Sequence, residues 1–248
     1  MRLETGHLRS AAPGWFRGGA VWAGDAAGSQ REGSDVTDRE ISTDIIEAYR
    51  GLSSAIISDA LDRAGIHGTL HGLKPQVDGA RMCGPAFTAK YTLAPAALDR
   101  FADFLDDIPA GAVVAIDNGG RTDVSVWGDT LSLFASVQGF AGTLIDGACR
   151  DIDGTRALGY PMFSRDLYMR TGKGRVGVES TQAPIRIAGV EIHPGDLIFG
   201  DATGAVAVPR ARAAEVLAIA QQIARRDDAW EAAIRAGLPM AQVWQAAD

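Results

Sequence analysis

The chain has 248 residues, 46% of them hydrophobic and 22% charged, with a formal net charge of −7. That profile suits a globular protein with one good core. It argues against a nucleic-acid partner, because counterion release from phosphates needs clustered Lys and Arg. A small anionic ligand stays open, since a few local cations outweigh the overall sign.

Cys83 and Cys149 lie far apart and form no C-x-x-C pair, so neither a disulfide framework nor a structural zinc site is read. Apolar stretches are broken by Gly, Asp or Arg well before the roughly 18 residues of a spanning helix. No secretory signal stands at the start, and the expectation is a cytoplasmic protein with no membrane partner.

Residues 1–40, rich in Gly, Ala, Ser and charge, carry no sustained periodicity and are read as a mobile extension. Residues 41–248 form the predicted domain. A helix is expected in "STDIIEAYRGL", with Ser42 as N-cap, and a second in "SAIISDALDRAG", closed by Gly65. "GPAFTAKYTL" reads as a strand. "AVVAID" is then a β-branched strand, "NGGRTDVSVWG" a polar loop, "DTLSLFASVQG" a helix closed by Gly139, and "GTLID" a second strand. Such a β-loop-α-β unit places its strands parallel and gathers ligands outside their carboxyl ends. A short helix "IDGTRALG" follows Asp151, then short strands with turns at Ala188-Gly189, Pro194-Gly195 and Thr203-Gly204. From Arg210 to about Ala236 the pattern is one long amphipathic helix.

This layout brings several groups to one rim. Gly128, Asp129, Thr130 and Leu131 occupy the first turn of the crossover helix, whose unpaired amides and dipole favour an anion such as a carboxylate. Arg150 and Asp151 arrive at the end of the next strand. The arginine fork can grip a carboxylate, and Asp151 can hold a hard cation such as Mg²⁺ that keeps several waters. Asp129 is placed to accept from those waters.

Each residue also has a plainer reading. Asp151 serves equally as the N-cap of the helix after it, Arg150 as a solvated surface arginine, and Asp129 as a first-turn acid that complements the dipole. Asp117-Asn118-Gly119 and Asp146-Gly147 read as turns. Convergence on one strand edge is what favours a site. His67 and His71 have the spacing of a helical metal pair, but Gly68 and Gly72 interrupt the helix it requires, so both are placed in a loop. Cys149 adjoins Arg150 with no nearby histidine and is read as structural. "DNGGR" lacks the Lys-Ser/Thr of a phosphate loop, and no G-x-G-x-x-G follows a strand.

"WGDTLSLFASVQGFAGTLIDGACRD", "LGYPMFSR" and "GVEIHPGDLIFGDATGAVAVP" together resemble the RraA-like family, which includes class II pyruvate aldolases acting on 4-hydroxy-4-methyl-2-oxoglutarate and 4-carboxy-4-hydroxy-2-oxoadipate. The resemblance is most specific over residues 128–151 and extends over about 45–237. It implies a three-layer α/β fold related to swivelling phosphohistidine domains, assembled as a homotrimer or homohexamer with sites between subunits. It implies that the turn Gly128-Asp129-Thr130-Leu131 offers amides to a pyruvyl carboxylate and that Arg150 holds the substrate and polarises its keto oxygen. Asp151 would bind Mg²⁺ or Mn²⁺, and Asp129 would hold metal-bound waters. A further acid from a neighbouring subunit's C-terminal helix is implied at Asp227, or at Asp228 beside it, where the family pattern has glutamate; aspartate shortens the reach by one methylene.

The implied activity is a metal-dependent lyase that cleaves a 4-hydroxy-2-oxo acid to pyruvate, with oxaloacetate decarboxylation by the same enolate stabilisation. The 4-hydroxyl proton is expected to leave by water relayed through Asp129. Arg121, Lys90 and Arg170 are candidates for the distal pocket, each otherwise a surface charge. The competing reading is a regulatory protein that binds ribonuclease E, as founding family members do; the long C-terminal helix favours the enzyme. A lyase for another hydroxy acid is a third reading.

Overall fold

A computed structural model describes residues 40–93 and 102–246, so the predicted extension at 1–40 lies outside them except for its last residue. In chain order the elements are α1 (Thr43–Arg50), α2 (Ser54–Arg63), β1 (Lys74–Pro75), β2 (Met82–Leu93), a 3₁₀ turn (Asp103–Asp107), β3 (Val113–Ser125), α3 (Asp129–Val137), β4 (Gly142–Cys149), α4 (Ile152–Leu158) and β5 (Met162–Leu167). There follow β6 (Val176–Thr181), β7 (Ile185–Ile187), β8 (Val190–Ile192), β9 (Leu197–Gly200), β10 (Ala205–Val208), α5 (Ala213–Arg235) and α6 (Met240–Val243).

Strands β2, β3, β4 and β5 lie side by side and parallel, in the sheet order β1-β5-β4-β3-β2-β9-β10. Parallel neighbours need crossovers, and α3 and α4 supply those from β3 to β4 and from β4 to β5. Every residue of β4 is buried, as expected of a parallel strand covered on both faces. Strand β2 is long enough to serve three partners: its first residues pair with β9, its middle with β3 and its end with β6. The fold is thus mixed α/β, as its alternating sequence pattern predicts.

Two apolar clusters hold the layers. Trp127, Leu144, Ile145 and Phe163 belong to the first, formed by the parallel strands with α3 and α4. Tyr49, Ile57, Leu61, Phe199, Val216 and Ile223 belong to the second, which packs α1, α2 and α5 on β9 and β10. Burial of each such side chain contributes about 1.5–3 kcal/mol. One carboxylate knits the second cluster: buried Asp201, after β9, accepts from the Ser54 amide (2.8 Å), the Ser54 hydroxyl (2.7 Å) and the Thr203 amide (2.9 Å). It thereby caps α2 from across the chain. Burial alone would raise the Asp201 pKa, but the Ser54 and Thr203 bonds outweigh it and hold the carboxyl below its ordinary value.

Helix starts at Ser42 and Ser53 follow the expected capping chemistry, each hydroxyl accepting from the amide three residues on. Two expectations are corrected, the first being the turn at Asp146-Gly147, a pair that lies inside β4. The segment "NGGRTDVSVWG" is for the most part not a loop: β3 runs through to Ser125. Three consecutive residues of β4, Asp146, Gly147 and Ala148, face Asp117, Arg121 and Ser125, so β3 bulges twice rather than ending. Gly119 and Gly120, both at positive φ, turn the first bulge, and the Asp117 carboxylate accepts from the Gly119 amide at 2.8 Å. Strand β6 and helix α6 were also not foreseen.

Candidate active site

The bulged half of β3 decides where the site forms. Ser125 is held by a strip of chain after β5, its amide donating to the Arg170 carbonyl, its carbonyl accepting from Gly172, and its hydroxyl bonding the Tyr168 carbonyl. The Val126 amide then bonds the Ala148 carbonyl (3.2 Å) and the Arg150 amide bonds the Trp127 carbonyl (2.9 Å). The end of β3 and the end of β4 are therefore locked together, and Gly128 meets Arg150 and Asp151.

Between them lies a cleft of about 370 Å³. Gly128, Asp129, Thr130 and Leu131 line one side and Arg150 and Asp151 another. All six residues expected at the rim are brought together. Gly128 has φ −152° and ψ −171°, an extended backbone open to any residue, so its identity is a matter of space. A Cβ there would stand 2.8 Å from Asp151 Oδ2. Asp129 has the reciprocal arrangement: a Cβ on Gly154 of α4 would stand 2.7 Å from its Cβ and 2.9 Å from its Oδ2. Each acid rests over a glycine at the start of the facing helix.

Asp151 occupies the N-cap position of α4, yet its side chain makes no capping hydrogen bond. Its φ of 52° is left-handed, a conformation that costs about 1 kcal/mol or more in a residue with a side chain and that aspartate tolerates better than most. The carboxylate turns to Arg150 instead, with Nε to Oδ2 at 3.2 Å. Both side chains keep contact with solvent, at 37% and 46% exposure, so the guanidinium's remaining donors and the second carboxylate oxygen are available to a ligand.

One detail of the expected anion cradle changes. The Thr130 amide is taken by Asp129 Oδ1 at 2.6 Å. The cradle reduces to the amides of Gly128, Asp129 and Leu131, which the geometry of their own helix cannot satisfy. Asp227 and Asp228 do not line this cleft in their own chain; Asp227 pairs with Arg226 at 3.2 Å on α5. The distal candidates fall elsewhere: Lys90 pairs with Glu179, Arg121 folds onto the Asn118 carbonyl, and Arg170 contributes its carbonyl to Ser125. Thr171 and Lys173 line the cleft in their place. His67 and His71 are exposed in the non-helical stretch after α2.

Residues 54–207 match the family model for RraA-like proteins, described as Aldolase/RraA. The chain belongs to the RraA-like family. Protein DlpA of Legionella pneumophila is 37% identical over 201 residues, which is 80% of this chain but 33% of DlpA, so the chain spans about a third of that relative's length. A protein of Halalkalibacterium halodurans, named as a candidate 4-hydroxy-4-methyl-2-oxoglutarate aldolase, is 34% identical over 193 residues, covering 77% of this chain and 89% of its own. The crystal structure of an uncharacterized protein from Pseudomonas syringae pv. tomato superposes with a TM-score of 0.78 at 38% identity, covering 83% of this chain and 98% of that one.

Several groups of this RraA-like site gave no signal in sequence. Ser125 and Trp127 reach the cleft through the bulged strand, Lys173 and Thr171 through the strip that binds Ser125, and Asp103 through the 3₁₀ turn. The tryptophan before Gly128 was the available clue, because an indole in a polar stretch seeks a partner for its N–H. A larger depression of about 580 Å³ borders α1, lined by Arg50, Phe87 and Gln182 among others, and it holds none of the converging groups. Both cysteines are buried free thiols, and burial pushes Cys83 up to about 11 and also raises Cys149. No described helix is long and apolar enough to cross a membrane.

Proposed function

We propose that this chain is a divalent-metal-dependent carbon–carbon lyase that cleaves a 4-hydroxy-2-oxo acid to pyruvate and decarboxylates oxaloacetate at the same site. The observation that carries the reading is Asp151: a left-handed aspartate that declines to cap its own helix and instead shares a cleft with Arg150 and the amide-lined start of α3. Relatives named as candidate aldolases of this type support it.

The donors in the cleft suit Mg²⁺ or Mn²⁺. They are carboxylate oxygens, with Asp151 free of a capping duty and Asp129 beside it, and among the described residues no group of three His, Cys, Asp or Glu gathers. A hard cation that keeps most of its waters matches so sparse a set. Asp151 would hold it directly and Asp129 through water. Once bound, the cation supplies Lewis-acid stabilisation of negative charge at the 2-oxo group.

The chain's own residues do the rest. The amides of Asp129 and Leu131 receive the substrate carboxylate, and Arg150 binds the same end and faces the keto oxygen as charge develops there. The 4-hydroxyl proton leaves by water relayed through Asp129, the C4 oxygen becomes a carbonyl as the C3–C4 bond breaks, and the electron pair of that bond is held as the enolate of pyruvate, which is then protonated. Oxaloacetate loses its distal carboxylate as CO₂ by the same charge stabilisation and needs no such base. The reading includes a homotrimer or homohexamer in which Asp227 serves a neighbouring subunit's cleft. In support, Asp227 lies off the cleft of its own chain, and exposed Ile234, Leu238, Met240 and Trp244 follow it.

The test is pyruvate release from 4-hydroxy-4-methyl-2-oxoglutarate and from oxaloacetate by chelator-treated protein, with and without added Mg²⁺. Release should require the metal and should be lost in Arg150→Ala. Release indifferent to both overturns the reading, and capture of ribonuclease E in place of any turnover would favour a regulator.

A further inference from the structure

Behind the cleft sits a group that no step above uses. Ser132, one turn into α3, is fully buried, and so nearly are Trp127 and Thr155. Trp127 Nε1 donates to Ser132 Oγ at 3.1 Å, Ser132 Oγ donates to the Gly128 carbonyl at 3.0 Å, and Thr155 Oγ1 lies 3.0 Å from Ser132 Oγ. A carbonyl only accepts, so the single Ser132 proton is committed to Gly128, and Thr155 must donate to Ser132. The hydroxyl then makes every bond a hydroxyl can make.

Two of its partners, Trp127 and Gly128, line the cleft, and the third, Thr155, lies behind it. The Gly128 carbonyl also accepts from the Ser132 amide at 3.0 Å. Because the peptide is planar and trans, pinning that carbonyl fixes the Asp129 N–H in the opposite direction, where the anion cradle begins. Thr155 stands one turn after Asp151 and donates its amide to the Asp151 carbonyl at 3.4 Å. One buried hydroxyl thus joins the amide turn of α3 to the turn that Asp151 opens.

We propose that Ser132 is a positioning residue, whose hydroxyl sets the spacing between the Asp129 amide and the Asp151 carboxylate through simultaneous bonds to Trp127, Gly128 and Thr155. The proposal rests on the lyase reading for its effect on turnover, but the mechanical coupling stands by itself.

Thr155 offers a discriminating pair. Thr155→Val keeps the shape and loses the donor; Thr155→Ser keeps the donor and loses a methyl group. Three readouts are taken on the full chain: Mn²⁺ affinity by titration, kcat and KM for pyruvate release, and hydrogen exchange in peptides covering residues 128–132 and 151–155. Thr155→Val should weaken Mn²⁺ binding about tenfold and lower kcat about tenfold with KM little changed, the scale on which outer hydrogen-bond partners act on a metal site. Exchange should rise in both peptides together. Thr155→Ser should stay within about twofold of the parent in all three. A Thr155→Val protein that behaves as the parent, or a Thr155→Ser protein that falls as far, overturns the proposal, since packing and not the hydrogen bond would then govern. Should Thr155→Val not fold, Trp127→Phe, which removes the indole donor, carries the same expectation. Hydrogen exchange needs neither metal nor substrate: a parent protein that bound no Mn²⁺ and released no pyruvate would end the lyase reading, while the exchange result would still decide the coupling.

Discussion

Substituting Gly128 by alanine moves one carboxylate and little else. The residue is extended, so alanine adopts its backbone without strain, and the loss of a glycine N-cap costs about 1 kcal/mol at most. The new Cβ would stand 2.8 Å from Asp151 Oδ2, whereas ordinary contact begins near 3.4 Å, so the carboxylate must retreat by the difference, about 0.6 Å. The Arg150 Cγ, at 3.5 Å, is already at contact distance and need not move. A misplacement of about 1 Å in a positioned group costs about 100-fold in rate, so this shift should cost about 10- to 100-fold in pyruvate release at saturating Mg²⁺. Thermal unfolding should show a Tm within about 4 °C of the parent. A Gly128→Ala protein with the parent's rate refutes the claim that the Asp151 position matters to turnover. A large drop in Tm refutes the claim that Gly128 is there for the carboxylate alone.

Other substitutions test the frame around the site. Asp201→Ala leaves the Ser54 amide and hydroxyl unpaired and should cost about 2 kcal/mol at pH 7, or a Tm lower by about 4–8 °C. Because the folded pKa of Asp201 lies below its ordinary value of 3.8, its contribution is present above that pH and is lost as pH falls through the folded value. The gap between parent and variant should therefore close on acidification below pH 3.8; a gap constant down to pH 3 contradicts the assignment. Asp146→Ala strands the Arg165 guanidinium and the Ala188 amide that its carboxylate now satisfies, and should destabilise by about 3 kcal/mol in a denaturant titration. Asn118 runs the other way. Its side-chain nitrogen and oxygen are both buried with no partner among the described residues, so Asn118→Leu should raise Tm by about 2–4 °C, and a fall in Tm would show that the amide has a partner or a duty.

The parallel unit from β3 to α4 was legible because its signals are local. A β-branched run, a glycine-closed helix and a second apolar run follow one another in sequence, and Arg150 and Asp151 follow the second strand directly, so chain order alone brings them to its carboxyl end. The bulged half of β3 was illegible for the opposite reason. A polar stretch with two glycines carries no strand pattern, and its extended path is imposed by β4 on one side and by the carbonyl of Arg170 and the amide of Gly172 on the other. Lys173 entered the cleft unannounced through the same long-range pairing. The N-cap reading of Asp151 was correct in position and wrong in chemistry, because whether a side chain caps depends on a backbone angle that residue type does not specify. Ser132 and Thr155 look like ordinary helix hydroxyls in sequence, and their role emerges only when two helices meet.

The most direct measurement is a crystal structure of the protein grown with Mg²⁺ and oxalate, whose paired carboxylates mimic the enolate of pyruvate. One carboxylate should lie within hydrogen-bonding distance of the Asp129 and Leu131 amides and of Arg150, with the cation against Asp151. Oxalate bound elsewhere, or a cleft in which Arg150 and Asp151 still engage only each other, would contradict the account.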